Sequence, residues 1–394
     1  MNPLTEDFFK YQAQTTPSPL AMEISHAEGS YVYDVHQKKY LDFVAGVSAC
    51  SLGHRPPSVV SAVKEQLDKY WHVMVYGEFV QQPAVELTKL LAKHLPESLS
   101  CTYLTNSGTE AIEGAMKLAK RATGKSQFIA AKNAYHGSTQ GAMSIMGFEE
   151  RKSAYRPLLP GIEYIGFNND EDLLKIGAKT AAVVLETIQG GAGFIIPKNG
   201  YLRKVKKRCE EVGALLILDE IQPGMGRTGK LFAFETFGIV PDILVMGKGL
   251  GGGFPIGAFS TSPALMKLIQ TDPILGHITT FGGHPVIASA ALATLQQITG
   301  GRLMKETLQK EQLFRQLLVH DRIQEIRGMG LMLALILPDA ETANQLVLRC
   351  LDKGLILFWL LFEKKAVRIT PPLTLSEKEI REGCNILLSV LDEL

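Results

Sequence analysis

Two charged residues interrupt the apolar runs in the middle of this chain. Asp219 follows Leu215-Leu216-Ile217-Leu218, and Lys248 follows Ile243-Leu244-Val245-Met246 after a single glycine. Runs this short and this apolar predict strands buried on both faces of a parallel sheet. Both charges then fall at the carboxyl ends of strands, where ligands of such sheets bind. An acid there can keep a ring nitrogen protonated. A lysine there can form a Schiff base, because partial burial lowers its pKa and frees the amine. The same pair also reads as two ordinary strand-end charges, or as an ion pair with each other.

A third feature is Leu104-Thr105-Asn106-Ser107-Gly108-Thr109-Glu110-Ala111, where a strand stops, a small polar turn follows and a helix begins. Backbone N–H groups and hydroxyls at a helix start can hold a phosphate; the plainer reading is N-capping by Ser107 or Thr109. The segment Gly224-Met225-Gly226-Arg227-Thr228-Gly229-Lys230 matches two nucleotide motifs in outline. Leu231 stands where a P-loop needs Ser or Thr for magnesium. Asp-Glu-Ile-Gln-Pro separates the glycines from their strand, which a dinucleotide fingerprint does not allow. Both motifs are rejected.

The elements that must position these residues follow from periodicity. The first 60 residues look irregular apart from a hairpin, 31–35 and 40–44 around the turn 36–39. From about residue 84 helices and strands alternate: a helix over 83–94, a strand over 101–104 and a helix from about 109 to 121. Short apolar runs follow at 127–131, 180–185, 214–218, 243–246 and 256–260, with a crossover helix over 200–212. This pattern predicts an α/β domain with a largely parallel sheet. Beyond about residue 300 the style changes: helix 303–320, strand 331–337, helix 341–353, strand 367–369 and a last helix opened by the capping box Ser376-Glu377-Lys378-Glu379. That tail reads as an α+β second domain, joined by the N-terminal segment. The expected division is 1–55 and 301–394 in the smaller domain and 56–300 in the larger.

With 41 Lys+Arg against 40 Asp+Glu and no basic block, nothing favours nucleic acid or a membrane surface as partner. Cys50, Cys101, Cys209, Cys350 and Cys384 are odd in number and never at CxxC spacing. That argues against a disulfide framework or a metal site and fits a reducing cytoplasm. No basic segment followed by an apolar one opens the chain, and no apolar run approaches the length of a membrane span. A soluble, cytoplasmic protein is the expectation.

Read together, these residues resemble the class III aminotransferases of PLP fold type I over nearly the whole chain, nearest to the acetylornithine and ornithine aminotransferases. The resemblance rests on Leu218-Asp219-Glu220-Ile221-Gln222, Gly226-Arg227-Thr228-Gly229, Pro241-Asp242-Ile243 and Gly247-Lys248-Gly249-Leu250-Gly251-Gly252-Gly253-Phe254-Pro255-Ile256-Gly257. It implies a large domain with a mostly parallel, seven-stranded type of sheet, a small α+β domain, and pyridoxal phosphate (PLP) as cofactor. Lys248 would carry the coenzyme and shuttle protons, and Asp219 would pair with the ring nitrogen. Gln222 would contact the ring oxygen, while Ser107, Gly108 and Thr109 would bind the phosphate. Tyr135 would stack on the ring, with His136 packed beside it, and Glu186 would sit near the cofactor. Thr280 matches a threonine that reaches the neighbouring subunit's phosphate, which implies a homodimer with shared active sites. Arg368 matches the arginine that grips a substrate carboxylate, a task suited to its planar fork. The loops 71–79 and 358–365 are expected pocket walls.

Two positions depart from the ornithine-type pattern. Ser138 stands where Tyr/Phe-His-Gly is usually followed by arginine, and Gly191 stands where an acid usually pairs with the carboxylate-binding arginine. Arg368 is therefore expected to be unmasked, and the specificity to differ. The expected reaction is ping-pong transfer of an amino group to a 2-oxo acid such as 2-oxoglutarate or pyruvate, from an ω-amino acid, an acylated diamino acid or another α-amino acid. The alternatives are an aminomutase, racemase or decarboxylase on the same fold, a nucleotide-binding protein, and a non-catalytic family member.

Overall fold

The computed structural model describes residues 3–394. Its centre is a seven-stranded sheet in the order Cys101–Thr105, Gly257–Thr261, Ile243–Gly247, Leu215–Asp219, Thr180–Glu186, Gln127–Ala131, Ile162–Ile165. Gly257–Thr261 runs antiparallel to both of its neighbours and all other pairings are parallel.

The apolar runs behave as strands covered on both faces, and all seven residues of Thr180–Glu186 are buried. Alternate residues feed two separate cores. Val183, Leu185, Leu216, Leu218, Leu244 and Met246 pack on one face against helices Tyr201–Val212 and Pro285–Gly300. Ala182, Val184, Ile217, Ile243 and Val245 pack on the other against helix Gly108–Thr123. The strands are therefore clamped along their length, and their carboxyl ends are held in fixed register.

Two smaller sheets complete the molecule. Ile24–Glu28, Tyr31–Asp34 and Lys39–Asp42 form an antiparallel meander, and the distant strand Leu355–Ile356 adds to it in parallel. The other sheet orders Glu325–Met329, Met332–Ile336, Ala366–Ile369 and Phe358–Trp359, all antiparallel. Leu41 and Phe43 share one core with Phe314, Leu333, Leu346, Ile369 and Leu387, so the N-terminal strands and the C-terminal elements pack as one body. The expected capping box is present: the Glu379 N–H donates to Ser376 Oγ, and the Ser376 N–H donates to Glu379 Oε2 at 2.7 Å.

Some local expectations are corrected. The early region is a three-stranded meander rather than one hairpin in irregular chain. Helices Pro57–Lys69 and Pro285–Gly300 were not foreseen; the latter is buried on most sides, so it lacks the one-sided stripe that marks a surface helix. The helix expected over 303–320 ends at Leu317. Among the described residues no helix is long and apolar enough to cross a membrane.

Candidate active site

Three adjacent parallel strands each end in an acid or lead directly to a base. Glu186 ends one strand and lies in register with Asp219, which ends the next; Lys248 follows the third, Ile243–Gly247. Sheet register thus brings together two carboxylates and an amine that lie 33 and 62 residues from Glu186 in sequence. They open into a cavity of about 520 Å³ whose wall also includes Gly108, Thr109, Tyr135, His136, Gln222 and Arg368.

Asp219 is nearly fully buried. Its Oδ1 accepts from the Ile221 N–H at 2.9 Å, and its Oδ2 lies 2.8 Å from His136 Nδ1. The alternative reading of Asp219 and Lys248 as an ion pair does not hold: Asp219 is bonded to His136 instead. Burial pulls the His136 imidazolium down, but the Asp219 hydrogen bond and charge, with Glu186 adding to them, raise it overall. His136 Nε2 is buried without a partner.

Lys248 makes no side-chain hydrogen bond or ion pair among the described residues. Desolvation lowers its pKa against the pull of Asp219, with the Arg368 charge adding to the lowering, the direction that frees an amine for nucleophilic use. Its backbone has φ of 41°, a left-handed value that costs an L-residue on the order of 1 kcal/mol and clusters at functional sites.

The turn before helix Gly108–Thr123 divides its labour. Ser107 Oγ accepts the Glu110 N–H at 3.3 Å and Glu110 Oε2 accepts the Asn106 N–H at 2.7 Å. Ser107 therefore caps the helix and is not part of the cavity wall, while Gly108 and Thr109 are. A Cβ on Gly108 would stand 2.6 Å from Ile221 Cδ1, so the helix start approaches the site as closely as it does only because the residue is glycine. Gln222 Nε2 donates to Ser48 Oγ at 3.3 Å, and Tyr135 Oη lies 3.2 Å from Ser138 Oγ.

Arg368 sits on Ala366–Ile369 with 4% of its surface exposed. Its Nε donates to the Trp359 carbonyl at 3.1 Å, while Nη1 has no partner. Among the described residues no carboxylate forms an ion pair with it, so the expectation of an unmasked guanidinium agrees with the geometry. Desolvation brings it down to about 10. Thr280 is exposed and lies outside the cavity of its own chain.

Of the two expected walls, only 358–365 contributes, through Phe358 and Leu361; none of 71–79 lines this cavity. Sequence reasoning missed Val47, which reaches the wall through a left-handed backbone (φ 60°). It also missed Glu220, fully buried, whose carboxylate takes the Thr187 hydroxyl and the Ala233 and Phe234 N–H groups. The rejected nucleotide motif has a structural use: Arg227 is fully buried and donates to the Leu331 and Pro371 carbonyls and to Ser51 Oγ.

Burial pushes Glu186 up to about 7, with His136 opposing and Asp219 reinforcing. A folded-state pKa above the ordinary 4.5 means that the folded protein holds this proton more tightly. Its contribution to stability is then full below about pH 4.5 and is lost as pH rises through about 7. Glu186→Gln should flatten the stability–pH curve of the coenzyme-free protein in that window by at most roughly 1.4 kcal/mol per pH unit. Glu220, also pushed up to about 7 by burial, keeps its own share. Denaturant unfolding across the window is the measurement, and an unchanged slope would rule Glu186 out as its source.

A model of the family Aminotransferase class-III matches residues 11–391. An acetylornithine aminotransferase from Caldanaerobacter subterraneus subsp. tengcongensis is 37% identical over 379 residues, covering 93% of this chain and 94% of that protein. One from Archaeoglobus fulgidus is 36% identical over 367 residues, with the same coverage. Among solved structures, the omega transaminase from Pseudomonas jessenii in complex with PMP superposes with a TM-score of 0.92 at 27% identity, covering 100% of this chain and 98% of that one. An ornithine aminotransferase from Toxoplasma gondii, with PLP in partial occupancy at its active site, gives 0.90 at 29% identity, covering 99% and 95%.

Proposed function

The chain belongs to the class-III aminotransferases, and on that footing we propose that it moves an amino group from a donor bearing one carboxylate to a monocarboxylic 2-oxo acid, with Arg368 holding the carboxylate of each in turn. It is a PLP-dependent transaminase of fold type I. The residues fit that coenzyme. A buried carboxylate, Asp219, suits a protonated ring nitrogen, and a glycine-opened helix start at Gly108 and Thr109 suits a phosphate. Lys248 supplies an unpaired, desolvated amine, and Tyr135 and Gln222 complete the wall. Bound there, pyridoxal phosphate supplies a conjugated cationic ring that spreads the electron pair left when the carbon bearing the amine loses its proton. Lys248 Nζ would take that proton and Asp219 would keep the ring nitrogen protonated, with His136 bonded to Asp219 to hold it in place.

The observation that carries the substrate reading is the buried, unpartnered Nη1 of Arg368 in the same cavity as Lys248. A desolvated guanidinium without a counter-ion is costly to keep, and an incoming carboxylate offsets that cost bidentately. Once Lys248 is committed to the coenzyme, Arg368 is the one remaining arginine or lysine among the residues lining the cavity, so a second carboxylate finds no second arginine or lysine there. A cytoplasmic homodimer is part of the proposal, supported by five free cysteines and by Thr280 lying exposed, away from its own cavity.

Donor screening with pyruvate and 2-oxoglutarate supplied separately tests this. Pyruvate should support turnover at least about tenfold better, and Arg368→Leu should raise KM for both partners roughly a hundredfold. Vigorous acetylornithine turnover with 2-oxoglutarate would overturn the monocarboxylate reading.

A further inference from the structure

We propose that Phe362 is a specificity-determining residue: its ring fills the space a side chain at position 191 would need, and so fixes Leu361 beside Phe358 in an apolar wall that selects donors with an apolar side chain. The proposal rests on the carboxylate reading of Arg368 above and assigns the other end of the same substrate.

A Cβ built on Gly191 would stand 2.8 Å from both Cδ2 and Cε2 of Phe362 and 3.5 Å from Leu361 Cβ. No residue but glycine fits there while the ring stays in place. The backbones are joined as well, the Phe362 N–H donating to the Gly191 carbonyl at 2.9 Å. The ring also stacks on Phe148, with centroids 4.6 Å apart and planes at 27°. The Arg151 guanidinium lies 5.8 Å from the ring centroid and donates through Nη2 to the Leu361 carbonyl at 3.3 Å. Aromatic stacking, a cation over the ring and two hydrogen bonds thus pin one short segment to the loops 148–151 and 190–191.

What this pinning holds at the cavity is Leu361. Phe358 pairs directly with Arg368 across the strands, and Leu361 lines the cavity near Gly191. With Val47 and Ile221 they give the wall an apolar character, and the nearby Tyr135 and Ser138 are neutral. A donor with its carboxylate on Arg368 would therefore meet hydrocarbon from Phe358 and Leu361 on this side of a lining that also holds Glu186, Asp219 and Gln222. A methyl group there gains burial, whereas a carboxylate would be desolvated without a counter-ion. Gly191 and Phe362 are a matched pair: the small residue admits the large one, and the large one sets what the cavity accepts.

The test compares holoenzyme kcat/KM for norvaline and glutamate, which share a carbon skeleton length and differ in a terminal methyl against a carboxylate. The wild type should prefer norvaline by at least about a hundredfold. Phe362→Ala should lose at least about tenfold of that preference, through KM rather than kcat, with the coenzyme's visible absorbance retained. Gly191→Glu alone overpacks the site and is expected to misfold, so the informative variant is Gly191→Glu/Phe362→Ala. The acid then takes the vacated space and puts a negative charge at the wall, so glutamate is repelled and the preference for norvaline should rise above that of Phe362→Ala. Competition by valerate against glutarate, read as a change in coenzyme absorbance, reports the wall without turnover. Tighter valerate binding with neither donor turned over would sink the substrate assignment above and uphold the wall. Equal binding of the two acids, or an unchanged preference in a folded, coenzyme-loaded Phe362→Ala, would overturn the wall.

Discussion

Replacement of Lys248 by alanine is expected to remove amino transfer by at least about ten-thousandfold, with the fold and the cavity intact. The expectation comes from what surrounds the amine. Lys248 is lowered by desolvation and makes no hydrogen bond or ion pair among the described residues, so nothing else in the cavity can stand in for it. Asp219 and Glu186 are carboxylates, His136 is tied through Nδ1 to Asp219, and Arg368 does not release a proton in the working range. Lys248 combines two roles, covalent attachment and proton transfer at the substrate carbon, and removing both at once gives the large factor. Each half-reaction should be followed by stopped-flow absorbance. Borohydride reduction of the wild-type holoenzyme should fix the coenzyme on the peptide containing Lys248 and on no other.

Lys248→Arg discriminates further. It keeps a cation at the strand end, so a purely electrostatic role would be largely retained. An amine that must be nucleophilic and must lose a proton is not replaced by guanidinium, which stays charged. Lys248→Arg should therefore be nearly as inactive as Lys248→Ala. Activity within tenfold of wild type in either variant would refute covalent attachment at this residue. Alanine also relaxes no backbone strain, since φ at 248 is 41° and alanine tolerates that value no better than lysine. A loss of activity can then be read as chemistry rather than as a change of local conformation.

How much of this was legible beforehand depends on the kind of signal. Asp219 and Lys248 stood out because each interrupts an apolar run, Glu186 came from the family resemblance, and a parallel sheet converts equal strand endings into spatial neighbours. Turn chemistry put Gly108 and Thr109 at a helix start, and the structure sets both in the cavity wall, while the capping of the helix by Ser107, one of its two readings in sequence, became visible only in the bond from Glu110. Strand direction was not legible: Gly257–Thr261 has the same apolar pattern as its neighbours yet runs the opposite way, and a period of two residues carries no sense of direction. The two-residue strands Leu355–Ile356 and Phe358–Trp359 are too short to leave any period at all. The pairing of Gly191 with Phe362 depends on a contact between residues 171 positions apart. The glycine alone reads only as a missing acid, and its partner appears only in three dimensions.

Asp219→Asn should lower kcat by roughly a hundred- to a thousandfold while leaving coenzyme binding within about tenfold. The side chains have nearly the same shape, and the hydrogen bond from the Ile221 N–H to the remaining oxygen at 2.9 Å survives. What is lost is charge. The neutral amide cannot keep a facing ring nitrogen protonated, so the electron sink weakens at the moment the substrate carbon loses its proton. His136 reports the same loss independently. Burial pulls its imidazolium down, and the Asp219 hydrogen bond and charge are what raise it. In Asp219→Asn it should titrate below its wild-type value, visible as a lower midpoint when its imidazole resonances are followed against pH by NMR. Asp219→Glu keeps the charge but adds a methylene within a buried site, and should recover part of kcat if charge is the cause. If the Asn and Glu variants were equally impaired, the exact position of the carboxylate would matter and its charge would not. A wild-type rate in Asp219→Asn would remove the acid from the mechanism altogether.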